Sequence, residues 1–192
     1  MATEIAGLRC PSDSSPRLSS EQFQWFSSPF APNPLLVFTT NYKGSIDHSI
    51  VGEPADSSSW TIGKLPDCHR TVDCQGMFYR NTWARPVKLR SVKDGLSKTL
   101  MIGEDLPRHN SHSAAYYANG DWSATHAPLN YKPNPLEPTN WPDVQGFRSD
   151  HPGGANFVFG DGAVRFISES VDIGLYQASS TRNGSEVLSS DF

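Results

Sequence analysis

The run from His151 to Ile167, His-Pro-Gly-Gly-Ala-Asn-Phe-Val-Phe-Gly-Asp-Gly-Ala-Val-Arg-Phe-Ile, constrains the fold more than any other stretch of the chain. Phe157 and Phe159 alternate with smaller residues, and Val164 and Phe166 resume the alternation beyond Asp161-Gly162. An Asp-Gly pair between two alternating runs is the strongest short-range hairpin signal, because both central residues of a type I′ turn need positive φ. The sequence therefore predicts two antiparallel strands meeting at Asp161-Gly162. Pro152, Gly153 and Gly154 break regular structure just upstream and allow close backbone approach, which puts His151 at the mouth of the first strand.

The rest of the chain is poor in helix signals. Fifteen glycines and 15 prolines among 192 residues exceed ordinary usage, and only 36% of the residues are hydrophobic. Such a composition favours short strands and long loops, in a chain long enough for one domain with a real core. The net charge of −4 and pI near 5.8, with the 16 Lys and Arg scattered, leave no basic face for phosphate backbones, so nucleic acid is not an expected partner. No window approaches the roughly 18 apolar residues that span a bilayer. The first residues also lack the basic-then-apolar profile of a signal peptide. Taken literally, the sequence has no membrane span and is unexported.

Along the chain, residues 1–34 read as an irregular segment with an aromatic patch at Phe23, Trp25, Phe26 and Phe30. A strand begins at Leu35 to Phe38 with room to continue to Tyr42, and Asn41 to Ser45 ends it in turn residues. Residues 45–75 form a polar loop; Gly76 to Arg80 reads as a short strand, and Thr99 to Glu104 as a buried strand after an Asp94-Gly95 turn. Residues 105–150 are loop-dominated, with a short strand at Tyr116-Tyr117 and Trp122 and a proline-rich stretch, Pro128 to Pro142, that excludes helix. Val171 to Tyr176 is the only plausible helix in the tail. The expected fold class is α+β and β-dominated: one domain over residues 1–192, an antiparallel sheet with long Pro/Gly-rich loops.

Few residues point to chemistry. Cys68 and Cys74 flank a short loop, and Cys10 lies far upstream. A zinc site with His69 lacks the C-x-x-C spacing and an evident fourth ligand, so no metal is expected there. In an oxidising compartment either Cys10 pairs with Cys74 or Cys68 pairs with Cys74, leaving one thiol over. His151 and Asp161 resemble an acid–base pair, but an intervening strand of about six residues puts them on the order of 20 Å apart. His151 is free to meet the Asp94 or Glu104 region across the sheet, while Asp161 serves the turn. There is no G-x-S-x-G elbow and no H-E-x-x-H helix, so no enzyme is expected. Trp122, Trp141, Tyr116 and Tyr117, in loops rich in Asn and Pro, suit a carbohydrate- or protein-binding face, or else pin those loops to the sheet.

Four segments occur in a telling order: Cys-Pro-Ser-Asp at 10–13, Asn-Tyr-Lys-Gly at 41–44, Val92 to Glu104, and His151 to Ile167. Together they resemble the prepilin-like bacterial proteins called domain of unknown function 1559, whose C-terminal signature is an H-X9-DG motif. The resemblance implies the globular head of a pseudopilin, outside the cytoplasm or in the cell envelope, with other pilin-like or envelope proteins as partners. It implies a non-enzymatic structural or interaction role in a type II secretion-like assembly; the alternative is a secreted ligand-binding module using the loop aromatics. His151, Gly153, Gly154, Asn156, Asp161 and Gly162, with Asp94, Gly95 and Glu104, then form a fold signature, and no catalytic residue is implied. The family's apolar N-terminal helix and processing site do not appear in the sequence as given, so it reads as the head alone. Lys98 stands where the family usually has Asn. The resemblance also raises calcium, with Asp94, Glu104, Asp121, Asp143, Asp150 and Asp161 as candidate ligands, although no D-x-D-x-D-G run organises them.

Overall fold

The computed structural model describes residues 2–19, 35–49, 68, 74–80, 82–117 and 121–185. The aromatic patch from Phe23 to Phe30, and His69, lie outside the described residues. The described strands are β1 (Leu18–Ser19), β2 (Val37–Phe38), β3 (Tyr42–Ser45), β4 (Leu100–Glu104), β5 (Trp122–Ser123), β6 (Gly154–Phe159) and β7 (Val164–Ser168). Two short helices accompany them, α1 (Trp141–Val144) and α2 (Ile173–Ala178).

Five strands form one sheet in the order β5-β3-β4-β6-β7, and β1 pairs with β2 apart from it. The β3–β4, β4–β6 and β6–β7 pairs are antiparallel, but β3 and β5 run parallel. The sheet is therefore mixed, and the expectation of an antiparallel one is corrected. The physical reason is the connection: β5 arrives after a long excursion from β4 instead of through a tight turn, and only such a crossover can bring in a parallel strand.

The β6–β7 hairpin forms in register from Gly154↔Ser168 to Val158↔Val164. Its turn differs from the type I′ expectation. The N–H of Gly162 donates to the Phe159 carbonyl (2.9 Å) and that of Phe159 to the Ala163 carbonyl (2.9 Å). Gly162 has φ 83°, whereas Asp161 is not among the residues of positive φ. This is a three-residue loop in which a single left-handed glycine closes the turn. The Asp161 carboxylate accepts from the Ala163 N–H (2.9 Å) and so stabilises the loop from within. Space is open around Gly162, so its constraint is the backbone alone: Gly162→Ala is expected to lower stability by about 1–2 kcal/mol in urea denaturation. An unchanged midpoint would remove the left-handed residue from the account.

Two further expectations change at β3. Of the Asn41 to Ser45 turn residues, Tyr42–Ser45 form a strand, with Lys43 and Ser45 directed inward and Tyr42 and Gly44 partly exposed. A polar run makes an inner strand because Lys43 finds a buried carboxylate, a partner that local sequence cannot display. Conversely, Gly76 to Arg80 forms no strand. The N–H of Gly76 and that of Phe78 donate to the carbonyls of Ile46 (2.7 Å) and Ser45 (3.0 Å) without a continuing ladder. Gly76 packs so closely that a Cβ there would lie 2.1 Å from the Ile46 carbonyl oxygen. Tyr116 sits in a turn at φ 63° while Trp122 opens β5. Pro142 lies in the first turn of α1, where its missing N–H costs nothing. Helix α2 is capped by Asp172, whose carboxylate accepts from the Leu175 N–H (2.9 Å).

The sheet's two faces have different fates. Inward, Leu100, Ala155, Phe157, Phe159 and Ile167 pack with Leu129, Phe147 and Tyr176 into the main core. Phe157 meets Phe147 and Tyr176 edge-on at 5.2 and 6.1 Å. Outward, Tyr42, Ile102 and Val158 are half-buried and Val164 and Phe166 exposed. The chain's first residues cross part of this outer face.

Candidate functional site

Cys10, Glu104 and His151 come together on the outer face. Each is delivered by a different segment. Cys10 opens the Cys-Pro-Ser-Asp turn, whose Asp13 N–H donates to the Cys10 carbonyl (3.2 Å). The Cys10 N–H donates to Asn41 Oδ1 (3.0 Å), and Asn41 Nδ2 in turn donates to Asp13 Oδ2 (2.7 Å) and to the Asp105 carbonyl (2.9 Å). One asparagine thus ties the turn to the ends of β3 and β4. Asp13 also accepts from Ser15 and pairs with Arg9 (3.1 Å) and Arg108 (2.6 Å). Burial alone would raise the Asp13 carboxyl, but the hydrogen bonds from Asn41 and Ser15 and the Arg9 charge hold it below the usual carboxylate range.

Glu104 is the last residue of β4 and is nearly buried. Its Oε2 accepts the Asn156 N–H of β6 (2.9 Å), which leaves Oε1 facing His151 Nε2 at 3.2 Å. The sulfur of Cys10 is 3.7 Å from the same nitrogen. His151 is positioned by the bend before β6 and by its N–H donating to Ser149 Oγ (3.1 Å). The His151–Glu104 meeting across the sheet was readable as one of two options; Asp161 instead lies 3.4 Å from Arg165. In sequence Cys10 is a disulfide candidate and the head of the Cys-Pro-Ser-Asp segment, and nothing local links it to residues 94 and 141 positions away. The three side chains line a cavity of about 540 Å³ whose other walls include Leu8, Tyr42, Ile102, Phe157, Val158 and Val164.

Glu104 and Asp105 are neighbours with opposite tasks, because successive strand-like residues point to opposite faces. Asp105 turns inward, where its Oδ2 lies 3.0 Å from Lys43 Nζ, both side chains fully buried. Asn110 Nδ2 (2.9 Å) and Ser113 Oγ donate to the same carboxylate oxygen. Burial lowers Lys43 below the usual lysine range against the pull of Asp105. Nearby, burial with the charge of Lys43 depresses His112 to about 4. Burial with the charge of Arg148 does the same to His126, also to about 4. Arg148 is itself buried and donates to the backbone carbonyls of Tyr131 (2.8 Å) and Val144 (2.9 Å).

The profile of a family described as a protein of unknown function (DUF1559) matches residues 1–174. The chain belongs to that family. No curated protein matches the chain, and no solved structure does. The H-X9-DG run of this DUF1559 chain therefore separates into two parts in space: His151 belongs to the cavity, and Asp161 and Gly162 belong to the turn at the far end of β6.

The remaining candidates are dispersed. Cys68 and Cys74 are disulfide-bonded (2.08 Å) and Cys10 is free. Of the carboxylates weighed for calcium, Asp94 accepts from the Gly184 and Ser185 N–H groups (2.7 and 3.1 Å), Asp143 from Asn140 (2.7 Å), and Asp150 pairs with Arg108. Asp161 serves its own turn, and burial raises the Asp121 carboxyl against the pull of Lys43. Gly95 has φ 97° and leads into a 3-10 turn, Gly153 has φ 79°, and Gly154 packs against the Ile167 carbonyl. Among the aromatics, Trp122 is core, meeting Trp141 edge-on at 5.1 Å. Trp141 also stacks edge-on with His112 at 4.5 Å. Tyr116 is exposed and donates to the Thr3 carbonyl (2.9 Å), and Tyr117 packs against Val37 and Ala114, so Trp122, Trp141, Tyr116 and Tyr117 form no common face.

Proposed function

We propose that this DUF1559 chain is a non-enzymatic interaction module, a head resembling that of a pseudopilin, working in an envelope assembly outside the cytoplasm. The observation that carries the reading is the outer face of the sheet. Ile102, Val158, Val164 and Phe166 make a continuous apolar strip across β4, β6 and the edge strand β7. Val164 is 65% exposed and Phe166 48%, on the strand whose outer backbone groups have no neighbour among the described strands. Large apolar side chains in a row beside a cavity are the kind of surface that other protein elements cover. The pilin-like resemblance supplies the kind of element: an apolar helix or a neighbouring subunit. The Cys68–Cys74 disulfide supports an oxidising compartment.

The test is fractionation of cells expressing the gene product, with thiol alkylation before and after reduction. The expected result is recovery with the envelope, and Cys68 and Cys74 modified only after reduction. Val158→Glu together with Phe166→Glu should release the protein from its envelope partners while leaving its circular dichroism unchanged. Recovery in the cytosol with both thiols free would overturn the reading, as would envelope association indifferent to the two glutamates.

A further inference from the structure

We propose that Cys10, Glu104 and His151 form a zinc site, three protein ligands on the wall of the outer-face cavity, with a fourth ligand admitted from the cavity. The convergence of three donors is the first ground. The Cys10 sulfur, a Glu104 oxygen and His151 Nε2 all lie within 4.8 Å of one another. A tetrahedral zinc ion with bonds of about 2.0–2.1 Å to nitrogen or oxygen and 2.3 Å to sulfur holds its ligand atoms about 3.3–3.6 Å apart. The His151–Glu104 and Cys10–His151 separations are 3.2 and 3.7 Å. Two edges of the ligand triangle thus already have the lengths a bound ion sets, and the third, Cys10 to Glu104, lies within 4.8 Å.

Atom identity is the second ground, and it separates this reading from a cysteine nucleophile. A Cys-His-Glu catalytic relay needs the thiol on one ring nitrogen and the carboxylate on the other, so that the carboxylate orients the ring while the far nitrogen takes the proton. Here the thiol and the carboxylate both address Nε2. Two acidic groups and one imidazole nitrogen aimed at a single point suit a cation. The donor set suits a borderline-soft ion, since one thiolate, one imidazole and one carboxylate oxygen match zinc far better than calcium or magnesium.

The supports behind the ligands are the third ground. Metal sites depend on partners that fix each ligand's orientation. Glu104 Oε2 is held by the Asn156 N–H, so only Oε1 is left to point inward. The Cys10 backbone is held by Asn41, and the His151 backbone by Ser149. The cavity wall beyond the three ligands is largely apolar, with Leu8, Ile102, Val158 and Val164. Such a wall lowers the local dielectric and strengthens the hold of two anionic ligands on a dication. Binding converts the Cys10 thiol to a thiolate and releases its proton, so the affinity rises with pH.

The experiment uses the purified chain, in which Cys68 and Cys74 are bonded and Cys10 is the free thiol of the three. Titration with Zn²⁺ alone, read by calorimetry and by metal analysis after desalting, is expected to give one equivalent per chain. Co²⁺ in its place should show a thiolate-to-metal charge-transfer band and the intense visible bands of a tetrahedral site. Zn²⁺ should also protect Cys10 from iodoacetamide. Each of Cys10→Ser, His151→Ala and Glu104→Gln, with circular dichroism unchanged, is expected to weaken binding by more than the roughly 10–100-fold that loss of a mere outer partner costs. Absence of stoichiometric binding by the unmodified chain would overturn the site, leaving the cluster as a histidine–carboxylate pair beside a thiol. Binding that survives both Cys10→Ser and His151→Ala would overturn it equally. Neither result depends on where the protein resides in the cell, so it stands or falls apart from the envelope reading.

Discussion

Lowering the pH from about 6.5 to 4 is expected to destabilise this protein by several kcal/mol, a loss that begins above the range in which carboxylates ordinarily titrate. His112 and His126 are both pushed to about 4 by burial, the first beside Lys43 and Asp105, the second beside Arg148 and Asp143. In the unfolded chain each returns to about 6.5. Between those values the unfolded state binds more protons than the folded one, so stability rises with pH and is lost as pH falls through the window. A separation of about 2.5 units at 1.36 kcal/mol per unit makes each histidine worth roughly 3 kcal/mol at neutral pH. Asp47 acts in the opposite sense, since burial raises its carboxyl. Asp121 is raised by burial too, and both carboxyls soften the acid limb. Urea unfolding at half-unit steps of pH tests the claim. His126 Nε2 lies 3.1 Å from the Pro142 carbonyl, a contact that a glutamine amide can keep, so His126→Gln should remove about half of the slope. A stability that is flat from pH 6.5 to 4.5 would show that these histidines are not buried as described.

The second large effect concerns Lys43 and Asp105. Truncating one partner of a buried ion pair strands the other charge in a low-dielectric interior, at a cost of about 3–5 kcal/mol. Asp105→Ala is the more damaging change. It leaves the Lys43 ammonium without its carboxylate, and it also removes the acceptor for Asn110 and Ser113. Lys43→Met leaves Asp105 with those two donors, so its cost should be smaller. Chemical denaturation of the two single variants and of the double variant Lys43→Met, Asp105→Leu would give the ordering. The double variant should be more stable than Asp105→Ala, because two apolar side chains leave no buried charge behind. Equal, small losses in both single variants would mean that water reaches the pair.

The parts of this fold that could be read from sequence are those in which local periodicity and tertiary burial agree. Thr99 to Glu104, the alternation around Phe157 and Phe159, and the helix near Tyr176 each carry their own apolar signal, and all three form. The misread parts are polar residues in the interior. Lys43 looks like a turn residue because its partner, Asp105, lies far away in sequence. The same blindness affects the candidate site: Glu104 and His151 were visible as signature residues, but Cys10 joins them only through the Asn41 link that ties three segments together. The Asp161-Gly162 pair marks the place of the turn but not its type. An Asp-Gly pair serves equally well as the last two positions of a three-residue loop, which needs positive φ at the glycine alone.

The spacing of the strands along the chain sets an order of assembly. β6 and β7 are joined by the four residues 160–163, whereas β3 and β4 must close over residues 46–99 before they can pair. By loop-closure entropy alone the longer connection costs roughly 2 kcal/mol more. The hairpin is therefore the cheapest piece of the sheet to form, and it offers β6 as a template on which β4, then β3 and β5, can add. The Cys10 turn docks across the ends of β3 and β4 through Asn41, so its native contacts need both strands. A newly made chain thus has no cavity, and no convergence of Cys10, Glu104 and His151, until its most distant segments have met.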